Sequence, residues 1–385
     1  MIYLDAASTS KPNPKVIEAM MPYFTDKWFN PSALYSKADK VKQDIEKSKS
    51  VIADYIGAKS NEIFFTSGGS ESNCWAIQGF VNNYRQSKIL PTIITSNIEH
   101  KSIISCVEDM PVCLEYIGVD NNGFINIDEL EETLVYAKKR YSDVLVTIQF
   151  ANNEVGVIQH IKEIAELSHK YNAIFHTDAV QAFGQIPINV DELDIDMMTA
   201  SGHKIGACKG IGFLYKRNGI DIKPLIYGSQ MDMMRGGTEN VQYIIGMAKA
   251  VELVKEDAEY QIRLSVLRNN FISKLNAIGC KINGSLDERL PNNINVTFPH
   301  NITGESLIYM LDTSNIYVSA GSACNSKSIE PSYVLKAIGL TDEEAMKTVR
   351  ITLPYDITMD EIDAAMCEIE KQIKLMTMEV DLDEI

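Results

Sequence analysis

The sequence has no C-x-x-C pair: its seven cysteines, at positions 74, 106, 113, 208, 280, 324 and 367, are odd in number and scattered along 385 residues. That spacing argues against a disulfide framework and against a structural zinc site, and it leaves most of the thiols as small core residues. No metal site is expected. Long apolar runs of membrane-spanning length are also missing, and Met1-Ile2-Tyr3-Leu4-Asp5 carries neither the basic flank nor the apolar stretch of a secretion signal. A cytoplasmic protein without membrane contact is the expectation. Positive charge is in deficit, with 36 Lys and Arg against 52 Asp and Glu and a net charge of -16. Such a surface repels phosphate backbones and argues against direct nucleic-acid binding. There is no internal repeat. The acidic tail Asp381-Leu382-Asp383-Glu384-Ile385 reads as a solvated chain end.

What is present is an ordinary globular composition, 45% hydrophobic and 23% charged, in a chain too long for one small core. Apolar strands are expected over 62–66, 92–95, 112–119, 144–150, 173–177 and 195–200, with amphipathic helical stretches between most of them and a long helix over 35–55. That alternation predicts βαβ units, hence an α/β fold with a large domain over 15–255 built on a mostly parallel sheet. After Tyr215 the alternation loosens into a Gly-rich connector, and a single long helix over 241–277 is expected to lead into a smaller α+β domain. That domain takes in 256–385, with residues 1–14 joining it.

In a parallel sheet the chemistry gathers beyond the carboxyl ends of the strands. His100, Asn153, Asp178 with Gln181, and Ser201-Gly202-His203-Lys204 all fall just after an expected strand. Lys204 stands on a glycine-bracketed turn, followed by Lys209-Gly210-Ile211-Gly212. An amine placed in a partly desolvated pocket loses its proton more readily and becomes a Schiff-base nucleophile. The turn Ser67-Gly68-Gly69-Ser70 joins a strand to a helix N-terminus, which offers free N–H groups to a phosphate; helix capping alone is the other reading. His100 likewise reads as a proton-moving group or as a satisfied core histidine. A lysine and a buried acid at neighbouring strand ends suit pyridoxal 5'-phosphate, with Lys204 on the aldehyde and Asp178 on the ring nitrogen. The phosphate would then lie on Gly69, Ser70 and Ser201, with His203 and Thr238 as further donors.

Six motifs in order resemble those of the cysteine desulfurases, a group of the class V aminotransferases among fold-type I pyridoxal phosphate enzymes. They are Asn97-Ile98-Glu99-His100-Lys101, Ala151-Asn152-Asn153-Glu154-Val155-Gly156, His176-Thr177-Asp178-Ala179-Val180-Gln181, Ser201-Gly202-His203-Lys204, Arg235-Gly236-Gly237-Thr238 and Ser319-Ala320-Gly321-Ser322-Ala323-Cys324. The resemblance implies a seven-stranded large-domain sheet and conversion of L-cysteine to L-alanine. It also implies that Lys204 carries the cofactor, Asp178 pairs with the ring nitrogen, Gln181 bonds the ring oxygen and His100 stacks on the ring. Arg350 would hold the substrate carboxylate with Asn153 and Asn30, and Cys324 would receive the sulfur as a persulfide. The small-residue run around Cys324 resembles the cysteine loop of the subgroup serving iron-sulfur cluster assembly and thiolation. Its members are homodimers that pass sulfur to protein acceptors, and Thr238 would reach the partner subunit's cofactor.

This chain departs from the family pattern in places. Asn73-Cys74 stands where the family usually has Asp-Asn, and Ala207-Cys208 where it often has Gly-Pro; both put a further thiol near the cofactor. The run 227–234 replaces the usual Gly-Gly-Gln/His-Glu-x-Gly. Two alternatives stay open on sequence alone: another class V enzyme, such as a selenocysteine lyase or an aminotransferase, or a non-catalytic sulfur carrier or scaffold.

Overall fold

The alternating apolar runs form three sheets among the described residues of the computed structural model, which describes residues 1–140, 143–257, 259–299, 302–320 and 330–380. The strands are β1 (Ile2–Tyr3), β2 (Ile63–Thr66), β3 (Thr92–Ser96), β4 (Cys113–Ile117), β5 (Val144–Thr147), β6 (Ile174–Asp178), β7 (Met197–Ser201), β8 (Gly212–Lys216), β9 (Lys281–Ile282), β10 (Asn293–Thr297), β11 (Ile316–Tyr317) and β12 (Thr348–Thr352). A seven-stranded sheet has the order β2-β8-β7-β6-β5-β3-β4. All neighbours run parallel except β8, which is antiparallel to both β2 and β7. The reversal at β8 follows from its connection to β7, which contains no helical crossover of the kind a parallel neighbour needs. Strands β2, β3, β5 and β7 are buried along their whole length, as expected of a sheet covered on both faces.

The expected helix over 35–55 is Ser36–Ile56, which turns Val41, Ile45, Ile52 and Ile56 inward at helical spacing. It stops at Gly57, whose φ of +72° suits glycine and whose missing Cβ leaves room for the Asn189 side chain, 2.6 Å from where that atom would stand.

Among the described residues the two largest hydrophobic clusters lie in different parts of the chain. One gathers Ile52, Phe65, Val146, Phe175, Met198 and Phe213 around the large sheet. The other gathers Leu4, Leu264, Phe271, Val296, Leu311 and Ile351 around the antiparallel sheet β12-β10-β9. These cores explain why the single helix expected over 241–277 is two, Val241–Glu256 and Tyr260–Ala277. The first buries Val241, Ile244, Met247 and Val251 in the large core, and the second buries Tyr260, Leu264, Leu267 and Phe271 in the small one. The chain leaves helical geometry at Asp257, with φ -104° and ψ 74°, and so changes cores. The N-terminal residues complete the smaller unit: β1 pairs with β11, and Asp5 bridges to Thr352 beside β12. Among the described residues no helix is long and apolar enough to cross a membrane.

Candidate active site

The parallel strands deliver their carboxyl ends to one edge of the large sheet, and a cavity of about 380 Å³ opens there. Its wall on the sheet side is made of residues that end or follow β2, β3, β5, β6 and β7: Gly69, Ser70, His100, Asn153, Asp178, Gln181, Ser201, His203 and Lys204. Ala7 and Ser8 of the N-terminal segment and Arg350 of β12 complete its lining. Ten of the residues singled out in the sequence therefore meet in one place, Arg350 included.

The helix Gly69–Val81 points its N-terminus into this cavity, where its first N–H groups have no partner within the helix. A Cβ on Gly69 would lie 2.6 Å from Val180 Cγ2, so glycine lets the turn sit against the strand ends. The turn is braced from outside by Glu71, which accepts from the Ser67 N–H at 2.8 Å and takes both the Nε and Nη2 of Arg235 at 2.9 and 3.2 Å. Burial, the largest single influence, raises the Glu71 carboxyl, but the Arg235 guanidinium and the Ser67 donors together outweigh it and hold the group below its ordinary range.

Asp178, at the end of β6, is 6% exposed. Its Oδ1 accepts the Val180 N–H at 2.9 Å and its Oδ2 accepts Asn73 Nδ2 at 2.7 Å. Lys204 Nζ donates to the Ala7 carbonyl and, at 2.9 Å, to the Ser8 carbonyl, while Ser10 Oγ donates to the Lys204 carbonyl at 3.0 Å. The N-terminal strand of chain thus clasps the lysine from both ends. Burial, with Lys204 and Lys209 nearby, pushes the His203 imidazole down to about 4, so it is neutral near pH 7. His100 caps the helix Lys101–Glu108: its Nδ1 accepts the Ser102 N–H at 3.1 Å and lies 2.8 Å from Ser102 Oγ.

Arg350, on β12, is 3% exposed. Its Nη2 reaches Asp5 Oδ1 and Ser8 Oγ, each at 2.8 Å, and its Nη1 donates to the Asn153 carbonyl at 3.0 Å, linking the two halves of the chain across the cavity. Its Nε is buried without a partner among the described residues.

Three residues singled out in the sequence do not line this cavity. Asn30 is exposed and its Oδ1 accepts the Ser32 N–H at 2.9 Å; Thr238 is also exposed, on the connector after Arg235. Cys324 lies outside the described residues, as does the acidic tail 381–385. Conversely Ala7, Ser8, Asn73, Ser102 and Gln149 line the cavity without having been singled out as site residues. Only Asn73 carried a sequence signal, the departure from the family's Asp-Asn; the others are brought in by tertiary packing.

Residues 2–365 match the aminotransferase class-V family. The cysteine desulfurase IscS of Dictyoglomus turgidum is 42% identical over 385 aligned residues, covering 98% of this chain and 96% of the relative. That of Methanosarcina thermophila is 42% identical, covering 95% and 90%. Among solved structures, a NifS-like protein superimposes with a TM-score of 0.90 at 32% identity, covering 97% of this chain and 99% of the other. SspA, solved in complex with cysteine, gives 0.82 at 36% identity, covering 92% and 99%. With nearly the full length matched by the family and by these relatives, the chain belongs to the class V aminotransferase family, among its cysteine desulfurases.

Proposed function

We propose that the protein is a cytoplasmic, pyridoxal-phosphate-dependent cysteine desulfurase. It converts L-cysteine to L-alanine and hands the sulfur from Cys324 to a protein acceptor of iron-sulfur assembly or thiolation. The observation that carries this reading is the meeting of Lys204, Asp178, His100 and Arg350, drawn from both cores, around one cavity at a helix N-terminus.

The residues present fit the cofactor. A glycine-opened helix start faces a buried acid and an amine across the same cavity, and Asn73 Oδ1, on its wall, and the neighbouring Thr177 Oγ1 are buried without partners among the described residues. Gly69 and Ser70, with Ser201 and neutral His203, would hold the phosphate; Asp178 would hold the ring nitrogen, Gln181 the ring oxygen and His100 the ring face. Bound there, pyridoxal phosphate supplies an electron sink for the substrate's α-carbon. Lys204 Nζ takes the proton from that carbon. The Arg350 guanidinium, its fork oriented by Asp5 and Ser8, holds the substrate carboxylate with Asn153, which sets the α-carbon before the amine. Cys324 Sγ, as thiolate, bonds the substrate sulfur while the substrate's Cβ–S bond breaks, leaving a persulfide and the three-carbon product.

A homodimer is part of the same reading. Phe24, Trp28, Leu34 and Tyr35 are 51%, 67%, 104% and 51% exposed within a short stretch, which supports burial against a second copy. Thr238, exposed on its own chain, would then reach the partner subunit's phosphate.

Alanine release from L-cysteine, followed together with the visible absorption of the bound cofactor, tests the reading. Cys324→Ala should abolish release and keep the absorption; Lys204→Ala should lose both. Unchanged release in the cysteine variant would favour another class V activity. A wild-type protein that stays colourless after incubation with pyridoxal phosphate would favour the non-catalytic carrier.

A further inference from the structure

Asn73 stands buried, 1% exposed, on the second turn of the helix Gly69–Val81, and both hydrogens of its amide nitrogen are engaged. One goes to Asp178 Oδ2 at 2.7 Å and the other to Ser102 Oγ at 3.0 Å. Because the Ser102 oxygen accepts from Asn73, its own hydrogen is free for His100 Nδ1, 2.8 Å away. That nitrogen also accepts the Ser102 backbone N–H, which can only donate, so the imidazole proton sits on Nε2. The four side chains form one directed chain, from Asn73 outward to the acid on one side and through the serine to the imidazole on the other.

We propose that Asn73 is a positioning residue: its amide aims the Asp178 carboxylate and, by occupying the Ser102 oxygen, turns the Ser102 hydroxyl hydrogen toward His100 Nδ1, beside the backbone N–H that fixes the tautomer. The inference rests on the reading that Asp178 and His100 face the cofactor, and it goes beyond that reading by naming what orients them. The amide matters because it has two donors. An aspartate here, which is what the family usually carries, has none: it would place a second carboxyl against Asp178 and draw the Ser102 hydroxyl away from His100. In this chain the acid and the imidazole are oriented by one neutral group that costs no charge repulsion.

The test uses two variants and two readouts. The first readout is the 15N spectrum of histidine-labelled protein, taken with and without cofactor; the second is the Kd and the visible absorption maximum for pyridoxal phosphate. Asn73→Asp, nearly isosteric, should weaken cofactor binding by about tenfold, displace the absorption maximum and shift the His100 Nδ1 signal. Ser102→Ala keeps the backbone donor and the Asn73–Asp178 contact. It should shift the Nδ1 signal and weaken the Kd less than Asn73→Asp does, because Asp178 keeps its donor. Wild-type Kd, absorption and Nδ1 signal in Asn73→Asp would overturn the proposal. If that variant does not fold, an unmoved Nδ1 signal in Ser102→Ala overturns it. A wild-type protein that binds no cofactor would sink the proposed function instead, and the spectrum of the cofactor-free protein would still judge the relay.

Discussion

Glu99 precedes His100 and is fully buried. Its Oε1 accepts the Ser96 hydroxyl at 2.5 Å and the Gln149 N–H at 3.0 Å, while Oε2 has no partner among the described residues. Burial, aided by the nearby Asp178 charge and only partly offset by the two donors, pushes this carboxyl up to about 8. The folded chain therefore keeps a proton that the unfolded chain gives up. The resulting stability is complete below the ordinary carboxyl value of 4.5 and is lost as pH rises through about 8. Glu99→Gln cannot ionise and lacks this component. Its Tm should hold up better than that of the wild type from about pH 5 to about pH 8, whatever their offset at acid pH. Parallel Tm curves across that range would show that Glu99 does not titrate as a buried acid.

At the scale of elements, the turn Ser67-Gly68-Gly69-Ser70 is held by how closely β8 approaches it. Gly212 opens β8, and a Cβ there would lie 2.6 Å from the Ala200 carbonyl oxygen and 2.8 Å from Gly68 Cα, backbone on both sides with no side chain to give way. Gly212→Ala should cost about 3 kcal/mol in urea unfolding, at the upper end for overpacking, and should weaken cofactor binding because the strain reaches Gly68. An unfolding midpoint equal to that of the wild type would mean that the turn is free to move. This contact also shows why sequence reading reached some parts of the site and not others. Lys204, Asp178 and His100 were legible because each follows an apolar run, and a parallel sheet brings such positions to one edge. The roles of Asn73, Ser102 and Gln149 were not, because they depend on how the helices Gly69–Val81 and Lys101–Glu108 pack side by side and on how residues after β5 turn back beneath them. The break at Asp257 was hidden for a related reason: periodicity reports that a face is buried, not which of two cores buries it.

At the scale of the whole molecule, the N-terminal residues 4–8 run from the small core to the cavity. Leu4 is buried in the small core, while Ala7 and Ser8 receive hydrogen bonds from Lys204 on the large one. This supports the division that we propose, 15–255 against 1–14 with 256–385, in which the N-terminal segment is the clasp. The exposed stretch from Phe24 to Tyr35 bears on the remaining level of organisation. Trp28 stacks on Phe29 with ring centroids 4.9 Å apart yet keeps 67% of its surface open. A chain with net charge -16 already repels its own kind, so association must come from apolar burial rather than from charge. Trp28→Glu should therefore yield a monomer in sedimentation velocity where the wild type runs as a dimer. Because Thr238 is proposed to complete the partner subunit's phosphate site, the monomer should also bind pyridoxal phosphate about tenfold more weakly. A variant that sediments as the wild type does would place the interface elsewhere. A monomer with undiminished cofactor affinity would show that each chain builds its phosphate site alone.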